Sequence, residues 1–297
     1  MATIIVVGSA LFLLLGLLVV VLWGGRSIRE PSASRRHPST GTGGQEFRTD
    51  VKLSALRRFF WWANVVSFSA LVSALLAVWP GGRLVMRILA DTSPASAQGR
   101  LTEAQAFVGI PSVGGTMALL FFGGLPAGFL AAILFPLVRR WLPRGRLAGP
   151  LFGLLLLVWV GSLMDPLRAD NIDFNIVGPG WLSVALYAGL ALLHGAVVAA
   201  AAGWWSERLP LWGPEAAKFY VPLLAGAILF PPFAVLVVIG TLLLFLWLSV
   251  VPVSWLRSAR PRRTVPAWVG AGAIVLISAA ALPVFISAVV SISSRTG

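Results

Sequence analysis

Apolar runs recur from one end of the chain to the other with short polar stretches between them, and a run of about 20 residues is long enough to cross a hydrocarbon core of about 30 Å as a helix. The first run is Ala2 to Trp23. It has no basic start and no small-residue cleavage pattern, and Arg26 and Arg29 follow it directly, so it reads as an anchor rather than a removable leader. The second is Phe59 to Trp79, approached through an amphipathic stretch in which Lys52, Arg57 and Arg58 precede Trp61 and Trp62, the mixture that marks a headgroup boundary. Trp79, Pro80, Gly81 and Gly82 are expected to end that helix. Leu84, Val85, Ile88 and Leu89 then share one face of a short helix suited to lying in the interface. The alternative is one continuous helix holding Arg83 and Arg87 near its outer end.

Three further runs are Val113 to Val138, Leu147 to Met164 and Gly180 to Gly203. After Lys218 an apolar stretch continues to about Trp255, interrupted by Pro231 and Pro232, where two missing amide donors oppose an unbroken helix. It reads as a tight hairpin of two spans, with a re-entrant hairpin as the alternative. Pro266 to Val290 is the last run. The expected fold is an all-α polytopic transmembrane bundle of about eight spans, or seven if 219–255 holds a re-entrant segment. Residues 1–23 form its anchor, 24–58 a basic and partly disordered linker, and 59–297 the helical domain. Within the linker, Pro31 to Gln45 has too little apolar area to offset the entropy of ordering it.

Charge orients these spans. Arg139, Arg140, Arg144 and Arg146 after the third run, and Arg257, Arg260, Arg262 and Arg263 after the hairpin, belong with the basic linker on the cytoplasmic side, leaving the N-terminus outside. The loop after the fourth run carries Asp165, Asp170 and Asp173 against Arg168 and suits the opposite side. A net charge of +13 would suggest nucleic acid on a soluble protein, but here the bases sit beside apolar runs. Arg57, Arg58, Arg139, Arg140, Arg257 and Arg260 are therefore assigned to anionic lipid headgroups, and no nucleic-acid partner is expected. Hydrophobic residues make up 58% of the chain and charged ones 11%, which excludes an ordinary soluble domain with about 25% charged residues. The chain has no cysteine, and its bias toward Arg, Ala, Gly, Pro and Val suits a GC-rich bacterial genome.

Candidate chemistry is sparse. All ten carboxylates lie in loops or at span ends, which disfavours carboxylate-coupled transport. His194 is the ionisable side chain placed mid-span, either as a packed hydrogen-bonding group or as a proton relay. Asp165, Asp170, Asp173 and Asn175 are oxygen ligands of the type that calcium or magnesium accepts, although their spacing matches no EF-hand and suits turns equally well. Gly124 and Gly128, Gly149 and Gly153, and Gly195, Ala199 and Gly203 repeat at four-residue spacing and are candidate helix-packing faces, for a neighbouring span, a second copy or another membrane protein. Pro126, Pro231 and Pro232 are candidate helix breaks. No catalytic constellation, metal site or cofactor fingerprint is present in the sequence.

The stretches GGRLVMRILA, SVGGTMALLFFGGLPAG, LVRRWLP and DFNIVGPGWLSVALYAGL carry a resemblance across roughly residues 80 to 209. There the chain resembles a diffuse set of uncharacterised multi-pass membrane proteins of actinobacteria and related bacteria. The resemblance implies membrane class and bacterial origin and transfers no functional residue. Together these features fit a non-enzymatic accessory or scaffold protein of the bacterial cytoplasmic membrane. The alternatives are a small permease-like transporter using broken helices and, ranked last, a membrane-embedded enzyme.

Overall fold

The computed structural model describes residues 2–31, 44–251 and 267–295, with the side chains of 44–48 and 267 left aside. The described residues are helical apart from their connections, and a single bridge pairs Leu101 with Phe107. Helix α1 is Ala2–Trp23 and α2 is Gly44–Ser73. Through one π turn, Ala74–Val78, α2 continues into α3, Trp79–Thr92. The expected break at Trp79 to Gly82 is therefore absent, and the continuous alternative holds: Thr49–Thr92 is one rod of 44 residues. The π turn accounts for this. The Trp79 amide donates to Ala74 five residues back, so Pro80 enters a register already widened, where its missing donor and its ring do least harm. Gly81 and Gly82 serve packing, because a Cβ on Gly81 would overlap the Leu190 side chain. Near the end of the rod Arg87 pairs with Asp91 at 2.9 Å.

The third run repeats the device. Helix α4, Val113–Ala118, passes through a π turn, Leu119–Gly124, into α5, Leu125–Val138. The Leu125 amide again donates five residues back, to Leu120, just ahead of a proline. Pro126, expected as a helix break, thus lies in continuous helix. The two widened turns sit against each other, with Gly124 facing Trp79.

Helix α6 is Ala148–Val160, α7 Gly180–Ser206, α8 Val221–Leu229, α9 Pro231–Val250 and α10 Ala267–Ser293. Among the described residues six helices are long and apolar enough to cross a membrane: α1, the α2–α3 rod, the α4–α5 rod, α7, α9 and α10. These are the features of a helical membrane bundle. The expected count of about eight is not met by length, since α6 has 13 residues and α8 has 9, against the roughly 17 to 25 a crossing needs. Helix α6 stops at Val160 because the chain turns at Gly161, whose carbonyl accepts the Leu167 amide, so the run expected to reach Met164 ends early.

Small residues set the tightest contacts. Gly149 and Gly153 of α6 meet Gly195 of α7 backbone to backbone, and a Cβ on Gly149 would lie 2.6 Å from the Cα of Ala196 and 3.0 Å from the Ala199 Cβ. A Cβ on Gly128 would lie 2.6 Å from the Ala70 carbonyl oxygen, and one on Gly203 2.6 Å from that of Arg26. Large buried side chains, Trp61, Phe129 and Phe152 among them, fill the space between the helices.

Helices α8 and α9 form a hairpin along α2. Asn64 Nδ2 donates to the Phe219 carbonyl at 2.8 Å and Ser67 Oγ to that of Pro222 at 2.6 Å, so α8 runs in the same direction as α2. Helix α9 returns past Phe59, which faces Gly240, to Ser249, which accepts from Lys52 Nζ at 2.8 Å. The chain turns at Phe230, φ −133° and ψ 81°, where Pro231 and Pro232 begin α9. Phe230 and Phe233 pack on Phe129, near the middle of the Val113–Trp141 rod, with ring centroids 4.9 and 4.6 Å apart.

Candidate functional site

The two ends of the bundle differ chemically. At one end Arg26 pairs with Glu207 at 2.7 Å, Arg139 donates to the Ile28 carbonyl at 3.1 Å, and Arg146 reaches Val21. Arg139 also lies over Trp62 and Arg140 over Trp141, and Arg57 and Arg58 are exposed on α2. The loops around 24–31 and 139–146 thus share one end. The start of α10 joins them, since Gly270 abuts Trp141. Arg257, Arg260 and the rest of 257–263 lie outside the described residues, as does most of the linker from Pro31 to Gln45.

At the other end the loops carrying Glu103, Asp165, Asp170 and Asp173 meet. Arg168 bridges Glu103 and Asp170, and Arg295 donates to the carbonyls of Ala169, at 2.5 Å, and Asn171. The short hydrogen bond to Glu103 raises the pKa of Arg168 above its ordinary value. Asp173 accepts the Glu103 amide at 2.7 Å and is capped by Asn171. Partial burial raises its pKa, and the Glu103 amide opposes that shift. The structure does not converge Asp165, Asp170, Asp173 and Asn175: Asp170 is ion-paired, Asp173 holds a loop, and Asn175 is exposed in a short 3-10 turn. Among the described residues no three His, Asp or Glu side chains are grouped to hold a metal ion.

Between these ends His194 is buried on α7. Its Nδ1 lies 2.7 Å from Ser73 Oγ, at the start of the first π turn. Which partner donates in this contact depends on the tautomer of the ring.

His194 closes one end of a crevice of about 140 Å³. Ala127 and Leu130 of α5 form one wall, Gly153, Leu156, Leu157 and Val160 of α6 the other, and Tyr187, Leu190, Ala191 and His194 of α7 the floor. Asp165 and Pro166 lie at its mouth. The lining is apolar apart from Asp165, Tyr187 and His194. Ser73 and Tyr187 do not stand out in the sequence. The spacing of Tyr187, Leu190, Ala191 and His194 places them on one helical face, but periodicity alone does not say whether such a face meets a neighbour, lipid or a cavity.

No family model, curated protein or solved structure matches this chain.

Proposed function

We propose that this chain is a non-enzymatic, multi-pass accessory or scaffold protein of a bacterial cytoplasmic membrane. The observation that carries this reading is the interlock of Gly149 and Gly153 with Gly195, where backbones touch and no side chain can intervene. Such contacts make a rigid frame rather than an alternating-access hinge. The His194 ring is hydrogen-bonded to Ser73, and among the described residues it has no carboxylate partner to continue a proton path. In this reading α6 crosses despite its length and α8–α9 re-enters, its turn reaching only the level of Phe129. The N-terminus is outside, and the loops at 24–58, 139–146 and 257–263 are cytoplasmic, where their arginines meet anionic lipid. The exposed surfaces of α1, α9 and α10 offer contacts to lipid or to another membrane protein.

A second reading, a small transporter, is favoured by one observation: the crevice reaches His194 in the middle of α7. A pH-jump measurement in proteoliposomes separates the two. The expected result is no proton flux above that of protein-free vesicles. Wild-type flux that His194→Gln abolishes would place transport first.

A further inference from the structure

The crevice floor is a single stripe of α7 in which Tyr187 and His194 are seven residues apart, about 10 Å at 1.5 Å per residue. Its volume of about 140 Å³ is that of a site for one small apolar body, since a dry cavity of roughly 150 Å³ takes benzene. The deep end is apolar apart from His194, whose Nδ1 is engaged by Ser73.

The mouth is different. The Tyr187 hydroxyl has no hydrogen-bond partner among the described residues. Asp165 makes no ion pair among them, and its one hydrogen bond is a long 3.4 Å contact from Asn171. Around the mouth stand four carboxylates, Glu103, Asp165, Asp170 and Asp173, against two guanidiniums, Arg168 and Arg295. Both guanidiniums are already occupied with loop partners.

We propose that this crevice binds a single-chain cationic amphiphile, with its ammonium head between the Tyr187 ring and the Asp165 carboxylate and its chain lying along Leu190 and Ala191 toward His194. Each part of the ligand follows from the lining. Between its ends the crevice is lined by Leu156, Leu157, Leu190 and Ala191, an apolar surface suited to a hydrocarbon segment. The surplus of carboxylates repels an anionic head, and a neutral alcohol would answer Tyr187 but gain nothing from the exposed Asp165 carboxylate. An aromatic face beside a carboxylate is an arrangement that selects ammonium.

The cysteine-free chain makes the test direct. Val160→Cys places a thiol on the crevice wall, and Leu163→Cys places one nearby, 65% exposed in its native residue and outside the lining. Both variants are reconstituted in zwitterionic lipid nanodiscs, and maleimide labelling rates are measured with octyltrimethylammonium, octanol or octyl sulfate. The ammonium compound is expected to protect 160 at concentrations about tenfold lower than octanol requires, the affinity difference that one partly desolvated cation–aromatic contact supplies, and to leave 163 unchanged. Asp165→Asn should remove that protection while keeping the melting temperature and the labelling rate at 163. Equal protection by octyl sulfate or octanol would overturn the cationic assignment. No protection by any of the three would overturn the site.

Discussion

Ser73 Oγ and His194 Nδ1 lie 2.7 Å apart, and this contact joins the π turn of the long α2–α3 rod to the middle of α7. A serine within a helix ordinarily turns its hydroxyl back to a carbonyl one turn earlier, as Ser69 does to Val65 at 2.7 Å. Ser73 instead spans to another helix. The bond is therefore part of what sets the α2–α7 spacing, and His194 can serve it without changing charge.

If that role is structural, His194→Gln keeps a donor and an acceptor and should leave the melting temperature in detergent nearly unchanged. His194→Leu should cost about 0.6 kcal/mol and at most about 1.7 kcal/mol, the range for interhelical hydrogen bonds in membranes. Ser73→Ala should cost a similar amount. The double variant should cost little more than either single one, because both remove the same bond. Thermal denaturation of the four proteins checks this.

The backbone contact between α6 and α7 gives a sharper expectation. A Cβ on Gly153 would collide with the Ala191 carbonyl oxygen, whereas one on Gly189 would meet nothing within 4 Å. Gly153→Ala should destabilise by about 1 to 3 kcal/mol through overpacking. Gly189→Ala, on the same helix pair, should be neutral or slightly stabilising, since alanine is the better helix former. Equal melting temperatures for the two variants would mean that α6 and α7 do not approach as described.

Asp173 predicts a pH dependence. Its pKa is raised in the folded protein, so the native state holds the proton more tightly than the unfolded chain does. The associated stability is fully present below the ordinary value of 3.8 and is lost as pH rises through the raised native value. At neutral pH the ionised Asp173 is therefore a cost. Asp173→Asn keeps an oxygen for the Glu103 amide and should be more stable than wild type at pH 7, with the difference shrinking as the pH falls through the carboxylate range. Melting curves of both proteins across that range provide the check.

The two ends of the bundle should face opposite sides of the membrane. Cysteines introduced at Ser39 and Ser258 are expected to be protected together from an impermeant thiol reagent in intact cells, while one at Ala104, in the loop that meets Asp173, reacts. Labelling at Ser258 without labelling at Ser39 would mean that the α8–α9 hairpin does not return to the end it left.

Much of the architecture is legible in the sequence. Ala2 to Trp23 is helical to the residue as read, and the runs beginning at Val113 and Gly180 start where expected, because an apolar run bounded by Trp, Pro or Gly leaves the backbone one way to satisfy its hydrogen bonds in lipid. Proline is where local reading falls short. Pro80 and Pro126 look like Pro231, yet the first two lie in continuous helix and the third begins a new one. The difference is tertiary: π turns at Ala74–Val78 and Leu119–Gly124, packed against each other through Gly124 and Trp79, absorb the missing donors. At Phe230 the stacking on Phe129 instead holds the chain in a turn. The crevice has the same origin. His194 is visible in any reading of α7, but its partner Ser73 comes from another helix, as do the crevice walls. Sequence determines that these segments are membrane-type helices because hydrophobicity and length are local properties. Which faces meet, which proline bends the chain and where a cavity opens depend on contacts between residues far apart in the sequence, and the fold alone decides them.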